Sequence, residues 1–440
     1  MKRLVVILAS FILLISSSFA GAADFFDHRI FEIKLNVPAN ISNNTITLAD
    51  ILQEQVIIDL KELYNEMPKK GFDATIDILP SAAITLDFKK GLHFGVSAGV
   101  DVFANTGISK DLFRFIAKGN QLNEEFKVSV NGYADVFAFA QVDVGFNLKK
   151  FNILVQPALF SSLAHAVTTD SYVMASCGEN NAYNLVMKGN MDIYSSIPIN
   201  EDSFGDSNTM VNNLMNNLGR TMGFDLGGKV SYKLTDFLTL SGSVRIPMVP
   251  SHLNTKTSLN YDQQFSFSLD SLMNKKKEGS GEGDSESSEG QSEETPEETT
   301  SEPEVTETQK TSLFTDPVSV QYYINRPMKF AVSAEFRPFS WLMTYYGTLG
   351  VGIKHPFAKS REESYFYFDY LIGTKLSLIN IISLYLSTER TDEIFKHKAT
   401  LALNFRLVEI DAGIALESEN LKTSFKGSGL GAFVTACIGF

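Results

Sequence analysis

One stretch of the chain, 127–148, alternates between apolar and mixed residues with a period of two over its whole length. One register, from Val128 to Leu148, is entirely apolar, and the other mixes charged, amide, hydroxyl and aromatic side chains. Successive side chains of a β-strand point to opposite faces, so one face is expected in an apolar medium and the other on a wet or filled space. At about 3.3 Å per residue, an unbroken strand here spans about 70 Å, far more than an ordinary strand of about 5 or 6 residues. Either a turn interrupts this stretch, or the strands are unusually long, which favours a large barrel.

The same alternation recurs along the chain, in 92–102, 221–233, 238–246, 329–337, 398–407 and 409–417. The mixed register carries charges and glycines in mid-strand, whereas the apolar register is almost free of polar atoms. A transmembrane barrel requires this pattern, with lipid outside and a polar lumen inside. A soluble sandwich or lipocalin-like barrel also alternates, with its apolar face inward, so periodicity alone leaves both folds open.

The N-terminus predicts export. Lys2 and Arg3 precede an apolar run from Leu4 to Ile15, and small residues follow at 20–22. This is the pattern of a cleaved secretory signal peptide, residues 1–22, and its apolar run is too short to span a membrane as a helix. No later stretch approaches 18 consecutive apolar residues, so a membrane location requires a closed β-barrel, which satisfies every backbone amide in lipid.

The net charge argues against one class of partner, and the cysteine spacing bears on disulfide formation. The formal charge of −13 becomes −15 once the two basic residues of the signal peptide are removed. An acidic chain of this kind disfavours nucleic acid, which needs a basic face. Cys177 and Cys437 are far apart and match no disulfide spacing motif, so two free or buried thiols are expected, although an exported chain permits a disulfide.

Two segments differ from the alternating sequence. Residues 23–71 are predicted to form a cap or plug with a helix over 48–67, begun by Thr47 and ended by Pro68, and the barrel domain is expected over 72–440. Residues 275–310 form an acidic segment with eleven Glu and one Asp between Glu278 and Thr308 and no aromatic residue there. This segment is predicted to be a disordered loop on the long-loop side of the barrel, acting as a solvated tether.

The chain ends in the segment GLGAFVTACIGF, whose apolar register finishes on Ile438 and Phe440. A last strand that ends on a terminal Phe resembles the C-terminal signature of bacterial outer-membrane β-barrel proteins. The resemblance implies that Phe440 and Ile438 are recognised by the barrel-insertion machinery, and that outer-membrane lipid surrounds the barrel. The match is partial, since Ile438 stands where an aromatic residue is common.

The layout also resembles outer-membrane barrels of the long-chain fatty-acid transporter type, in which an N-terminal hatch plugs the lumen. The shared features are a segment with a helix before the barrel, long strands, and about 14 candidate strands, within a range of 12 to 16. The early Asn-Pro-Ala element of that family is matched only distantly at Asn36–Ala39, because Val37 stands between Asn36 and Pro38. The predicted fold is therefore an all-β, antiparallel transmembrane β-barrel with a short N-terminal helical segment.

The sequence contains no local catalytic or metal-binding motif. No two of its six histidines form a metal pair, and no nucleophile elbow, phosphate loop or Cys-x-x-Cys element occurs. We therefore expect neither an enzyme nor a cofactor or metal. In the barrel interpretation, charged residues of the mixed register are candidate lumen-facing residues: Asp101, Asp135, Asp143, Asp225, Lys229, Arg245, Glu335, Arg337, Arg406 and Asp411. Phe137, Phe139 and Phe433 share that register and would add an apolar lining.

The leading functional hypothesis is an outer-membrane barrel for passive passage of small or hydrophobic solutes. The first alternative is a structural or surface-interaction barrel, adhesin-like and without transport. The second is a soluble periplasmic β-protein that encloses an apolar ligand. An open or hatch-gated lumen favours transport, a lumen filled by charged side chains favours the structural role, and an apolar interior favours the soluble protein.

Overall fold

The computed structural model describes residues 29–440 except 48–59, 89–90, 119–125, 178–181, 200–212, 214–215, 218, 269–305, 340–341, 357–364, 380 and 392. The predicted signal peptide and most of the acidic loop lie outside the described residues, as does the first part of the predicted helix 48–67.

The described chain is almost entirely β-structure. The first ten strands are β1 Phe31–Asn43, β2 Phe72–Ile78, β3 Ser81–Phe88, β4 Leu92–Ile108, β5 Phe126–Leu148, β6 Phe151–Thr168, β7 Tyr172–Cys177, β8 Ala182–Ser195, β9 Met222–Lys233 and β10 Leu238–Val249. The remaining strands are β11 Ser251–Ser268, β12 Thr306–Phe314, β13 Val318–Ile324, β14 Met328–Phe339, β15 Met343–Lys354, β16 Tyr365–Ile379, β17 Ile382–Thr391, β18 Ile394–Asn404, β19 Val408–Ser418 and β20 Gly429–Gly439. The helices are α1 Leu60–Glu66, α2 Lys110–Lys118 and α3 Leu421–Ser424.

The 20 strands occupy 14 positions around one antiparallel barrel, because several strands are collinear pieces that pair with the same neighbours. In order, the positions are β1, β2/β3, β4, β5, β6/β7, β8/β9, β10/β11, β12/β13/β14, β15, β16, β17, β18, β19 and β20. The predicted fold class and strand number are confirmed.

The first and last described strands close the barrel. β1 pairs with β20 over eleven residue pairs, from Glu32 with Gly439 to Ser42 with Gly429. The carbonyl of Phe440 also accepts from Ile30 N at 2.7 Å. A closed ladder leaves no unpaired sheet edge, which is the condition for β-structure in lipid. Residues 31–43 belong to the segment predicted to be a cap or plug, and this part of the prediction is corrected, because the alternation of β1 supplies the last wall strand.

The apolar register points outward. Val96, Phe146, Val332 and Ile414 are 44%, 44%, 63% and 64% exposed, whereas inward residues such as His93 are buried. The stretch that dominates the sequence, β5, is one strand of 23 residues without a turn. A soluble barrel that encloses an apolar ligand would have the opposite arrangement of faces.

The two ends of the barrel differ in their connections. At the end where β1 begins and β20 ends, consecutive strands are joined by two to four residues, as between β5 and β6 or β9 and β10. At the other end lie the longer connections 44–71, 109–125, 269–305, 355–364 and 419–428. This asymmetry is typical of outer-membrane barrels, which have short periplasmic turns and longer extracellular loops. The acidic segment therefore joins β11 and β12 at the long-loop end, and its last residues, 306–310, belong to β12 rather than to a loop.

Two of the helices lie in the long connections that precede β2 and β5. α1 falls within the predicted helix 48–67 and ends close to Pro68. No helix in the described parts of the chain is long and apolar enough to cross a membrane.

Candidate functional site

A row of inward side chains crosses half of the barrel wall. Direct cross-strand pairing aligns one residue from each of seven consecutive positions: Asn40, Asp77, Phe103, Asp135, His165, Tyr194 and Lys256. We call this set the inward row. Paired residues on adjacent strands lie about 5 Å apart, so their side chains form one continuous band. Side chains from distant strands reach this band across the lumen.

The first cross-lumen contact centres on Asp135. Its Oδ1 lies 2.7 Å from His165 Nδ1, and its Oδ2 lies 3.5 Å from His355 Nε2. His165 is on the adjacent strand, but His355 follows β15, with four strand positions between β15 and β5 on the shorter way round. Asp135 and His165 are both buried. A carboxylate that accepts from Nδ1–H fixes the ring of His165 and leaves its Nε2 as an acceptor.

Two tyrosines complete this end of the row. The hydroxyl of Tyr322, on β13, donates to His165 Nε2 at 3.3 Å, and the two rings stack with centroids 5.1 Å apart. The Tyr322 ring also stacks on Tyr194 at 4.2 Å. Lys256 lies 5.6 Å from the Tyr194 centroid and 2.9 Å from a carboxylate oxygen of Asp192. Aromatic stacking and cation–π contacts therefore join β6, β8, β11 and β13 on the lumen side.

Lys354, the last residue of β15, lies in an aromatic cage. Its Nζ is 4.1 Å from the ring centroids of both Phe103 and Tyr133 and 6.0 Å from that of Tyr365, and it donates to the Tyr133 hydroxyl. The next residue, His355, has a φ of 43°. Alternation in a strand would direct one of two consecutive side chains outward. The left-handed backbone of His355 ends the strand and lets both side chains reach the inward row, at a conformational cost of about 1–2 kcal/mol.

The other end of the inward row is ionic. Lys396, on β18, lies 2.7 Å from Asp77 Oδ2, although three strand positions separate β18 from β2. The amide of Asn40 lies between Lys396 and Glu417, at 3.2 and 3.0 Å in the orientation that satisfies both. Lys396 is 3% exposed and Glu417 is 0% exposed. Buried charges of this kind persist only when opposite charges and hydrogen bonds compensate them.

A third group of contacts fills the space beside the aromatic end. Arg326 Nη1 lies 3.1 Å from Asp225 Oδ2, with both side chains buried, and its guanidinium is 4.6 Å from the Phe139 centroid. Phe137, Phe160, Leu253 and Ile324 form a buried apolar cluster next to it. This side of the lumen is therefore filled by protein.

The connections at the long-loop end are tied to each other. Lys70 pairs with Asp73 at 2.6 Å and with Glu419. Burial lowers the pKa of the Lys70 ammonium and the two carboxylates raise it by more, so its pKa lies above its usual value. Asn44 also hydrogen-bonds the carbonyl of Gly71 at 2.9 Å. These contacts hold the connection 44–71 against β2 and the 419–428 connection.

Nine of the ten candidate lumen-facing residues lie on the inward register. Asp135, Asp225 and Glu335 are buried. Asp101, Asp143, Lys229, Arg245, Arg337 and Asp411 are only half-buried. Arg406 is the exception, because it lies in the turn between β18 and β19, exposed and with a φ of 72°. Its place in the lumen is corrected: the alternation of β18 ends at Asn404, so parity no longer determines the direction of the side chain.

Three predictions beyond this set have different outcomes. Phe137 and Phe139 line the interior, but the Phe433 ring lies over Gly413 of the neighbouring strand, 2.2 Å from where a Cβ would stand. Only glycine accommodates that ring, which lies along the wall instead of lining open space. Cys437 is a buried free cysteine, as expected. Ile438 and Phe440 are 60% and 69% exposed on the outer face, a position open to a partner.

The decisive contacts of the inward row were missed by the sequence analysis. None of His165, His355, Lys354 and Lys396 was named there as a candidate site residue. Parity could have placed Lys354 and Lys396 inward, since both continue the polar register of their strands. No pattern in the sequence shows which residue lies opposite them across the lumen. In the described part of the chain, no group of His, Cys, Asp and Glu is arranged to hold a metal ion.

The lumen keeps space beside the filled regions. Lys34 points inward near the end where β1 begins and is exposed, while Asp101, Asp143 and Arg245 remain half-buried. Asp143 accepts from Gln141 and Gln156, at 2.7 and 3.0 Å. An inward side chain that is not enclosed by protein borders room for water or solute. The interior thus combines polar, accessible surface with a band of cross-lumen contacts.

Several solved structures are similar to this chain. A Pseudomonas putida toluene transporter, TodX, matches with 10% identity and a TM-score of 0.43, over 97% of this chain and 96% of that chain. A Pseudomonas aeruginosa FadL homologue matches with 11% identity and a TM-score of 0.46, over 95% of this chain and 92% of that one. The translocator domain of the autotransporter NalP from Neisseria meningitidis matches with 7% identity and a TM-score of 0.32, over 100% of this chain and 94% of that chain.

A family model gives the strongest link at the level of sequence. The model of a family of unknown function, DUF5723, matches residues 30–432. The matched range runs from the start of β1 to the middle of β20, and so covers all 14 positions of the barrel. No curated protein shows significant similarity to the chain.

Proposed function

The chain belongs to the DUF5723 family of unknown function, and we propose that it is an outer-membrane β-barrel through which small or hydrophobic solutes pass passively. The observation that carries this proposal is the accessible polar surface inside the lumen. Inward polar residues on several strands keep exposed or half-buried side chains, so the interior is more than a packed core. Outer-membrane barrels with polar interiors form either open channels or channels plugged by part of the chain.

The outward face supports the placement in a membrane. It is mostly apolar, and aromatic side chains gather close to the short turns, where the ring centroids of Phe151 and Tyr232 lie 4.6 Å apart and those of Phe237 and Phe336 lie 5.8 Å apart. Phe366 and Phe368 are exposed on the same face near the long-loop end. Two aromatic belts that flank an apolar band are typical of barrels in the outer membrane. The predicted signal peptide agrees with export to that membrane.

In this proposal the inward row and its partners form the barrier within the passage. The contacts of Lys354 and His355 with β4 and β5 extend across the lumen, and those of Lys396 extend toward it from the opposite side. A solute that moves along the barrel axis must pass beside these contacts or displace them. Two contacts of the aromatic end are long, that of Tyr322 with His165 at 3.3 Å and that of His355 with Asp135 at 3.5 Å, and these are the ones we expect to give way.

A reconstitution experiment tests the proposal. Purified protein would be placed in planar bilayers and liposomes, with ion conductance and swelling in a small uncharged sugar as readouts. Influx of the apolar fluorophore N-phenylnaphthylamine into expressing cells covers hydrophobic solutes. The K354A/H355A double variant removes both cross-lumen side chains of one strand end, so we expect higher flux than in the wild type. Lys375→Ala is the matched control, because Lys375 points inward but contacts Tyr385 on an adjacent strand, at 5.1 Å.

One result would overturn passage. If neither the wild type nor the double variant exceeds protein-free membranes in all three assays, while both show heat-modifiable migration on gels, the barrel is folded but closed. That outcome favours the second candidate, a structural or surface-interaction barrel. The buried ionic contacts among Lys396, Asp77 and Glu417 are the specific observation behind this alternative, because a lumen filled by compensated charges suits a static role.

A further inference from the structure

The outward register of the barrel carries one ionised side chain among those that the structure describes, Arg390 on β17. Following the paired residues from strand to strand, every other Asp, Glu, Lys and Arg whose side chain the structure describes within the strands falls on the inward register; Glu307 of β12 pairs with outward Phe265, and its side chain is not among those described. A charge on the lipid side of a membrane barrel is costly at mid-depth, by about 2–4 kcal/mol, and much less near an interface. A single exception in so uniform a face indicates a specific role.

Arg390 lies at the long-loop rim. It stands one residue before the end of β17 and pairs with Phe395 near the start of β18. β17 has ten residues, which at about 3.3 Å each and the tilt usual in barrels is just enough to cross the apolar band. The guanidinium is therefore placed at the level of lipid headgroups and not among acyl chains.

The guanidinium is held in place but keeps donors free for a ligand. Its Nη1 donates to the carbonyl of Phe368 at 2.7 Å, and its carbon lies 5.5 Å from the Phe395 centroid. No carboxylate in the described residues pairs with it. A guanidinium has five N–H donors in a planar fork that matches phosphate oxygens. One bond to a backbone carbonyl orients this fork and leaves its remaining edge toward the outside.

Aromatic and apolar side chains surround Arg390 on the same face. Tyr370 pairs with Arg390 on β16, and its ring lies 6.4 Å from that of Phe395. Phe366 and Phe368 are 74% and 47% exposed. Such rings at the interface lie where headgroups meet acyl chains. Together they offer an apolar surface directly beside the cation.

The 419–428 connection adds a second wall to this patch. Phe425 stacks on His397, with centroids 3.9 Å apart, and His397 Nε2 lies 2.9 Å from Ser424 Oγ. His397 is on the outward register, so the connection folds over the outer face of β18. It carries two exposed cations, Lys422 and Lys426, to the same rim. In a chain with a net charge of −13, this cluster of cations stands out.

We propose that this patch, formed by Arg390, Tyr370, Phe395, His397 and Phe425, binds a membrane lipid with an anionic phosphate headgroup. The phosphate would accept from the free donors of Arg390, with Lys422 and Lys426 adding electrostatic attraction. The acyl chains would lie along the exposed rings below. The proposal requires a membrane location but not passage of solutes, so it can fail or succeed independently of the transport assays.

Native mass spectrometry of the detergent-solubilised full chain tests this site. Phosphatidic acid is the probe, and diacylglycerol with the same acyl chains is the control ligand without phosphate. We expect the wild type to retain phosphatidic acid over diacylglycerol, Arg390→Gln to lose about tenfold in phosphatidic acid affinity, and Arg390→Lys to lie between them. Arg406→Gln is the matched control, since Arg406 is an exposed arginine at the opposite rim.

Each outcome bears on the proposal. Equal retention of phosphatidic acid by the wild type and Arg390→Gln overturns it, and so does equal retention of both lipids by the wild type. Full competition by inorganic phosphate at millimolar concentration would identify a soluble anion site and overturn the lipid assignment. Because the substitution lies on the outer face, heat-modifiable migration of each variant shows that a lost lipid is not a lost fold.

Discussion

The two ends of the inward row reach across the barrel by different physical means. At the ionic end, Lys396 is enclosed with Asp77 and Glu417, and charge compensation holds distant strands together. At the aromatic end, Asp135 is shared by two histidines, and rings stack over Tyr322 and around Lys354. The contacts of the ionic end cannot separate partway, because an unpaired buried charge has a high free-energy cost. The aromatic end can loosen by small steps, since each contact is weak.

We expect the largest loss of stability from Lys396→Met, which removes the cation at the ionic end of the inward row. In Lys396→Met, the buried Glu417 and the half-buried Asp77 remain without their partner. We expect a loss of roughly 3–5 kcal/mol in the free energy of unfolding. Urea titration in lipid vesicles measures this, with fluorescence of the single Trp as the signal. Lys398→Met is the control with a smaller expected loss, because Lys398 is more exposed, at 21%, and pairs with Glu389 on the adjacent strand. Equal losses in both variants would contradict a special role for the ionic end.

Neutralising Asp135 tests the contribution of the aromatic end to stability. Asp135→Asn keeps the shape but removes the charge that two imidazoles contact. We expect a loss of roughly 1.5–3 kcal/mol, since hydrogen bonds to charged groups contribute about this much. The same urea titration applies, with Asp143→Asn as the control on the same strand. Asp143 is half-buried between two glutamines, and we expect less than half the loss there. A larger effect than that of Lys396→Met would reverse our ranking of the two ends.

Removing the caged cation tests whether the aromatic end is the part that yields. Lys354→Met keeps an apolar chain in the cage but loses the cation–π contacts and the bond to Tyr133, so we expect about 1–2 kcal/mol of destabilisation. We also expect increased ion conductance in planar bilayers. Lys375→Met serves as the control, with a cation–π contact that does not cross the lumen. Unchanged conductance in Lys354→Met, with raised conductance in the folded Lys396→Met variant, would mean that the ionic end is the barrier.

The smallest effect is expected from a single hydroxyl. Tyr322→Phe removes the 3.3 Å hydrogen bond to His165 and keeps the ring stack. We expect a loss of about 0.5–1.5 kcal/mol. Tyr323→Phe on the exposed outer face should leave the unfolding midpoint unchanged. A loss above 3 kcal/mol in Tyr322→Phe would show that the hydrogen-bond chain through His165 is more cooperative than separate contacts imply.

The local sequence pattern predicts the long strands of the barrel wall, but it does not predict that β1 belongs to the wall or that residues 306–310 extend β12. The alternation of 127–148 predicted the β-structure of β5 and the two faces of this strand but left an internal turn open, and the structure shows one unbroken strand. β1 was placed in a cap or plug because a predicted helix separates it from the alternating sequence, and only pairing with β20 shows that it completes the barrel. Likewise, residues 306–310 share the composition of the acidic loop but extend β12, because β11 offers them a ladder to pair with. The composition of a segment indicates how well water solvates it, whereas its pairing in a sheet depends on the strand beside it.

The sequence by itself determined the class of fold, the two faces of each strand and the fact that nine candidate residues share the face opposite the apolar one, because side-chain direction in a strand follows from parity alone. It also determined that the outward face carries no charge over most of its extent. Only the tertiary structure decided which inward side chains meet. The register between neighbours sets the inward row, barrel closure brings β15 opposite β5, and a left-handed residue at His355 turns two consecutive side chains toward the same band. Such contacts join positions far apart in sequence, and no local period records them.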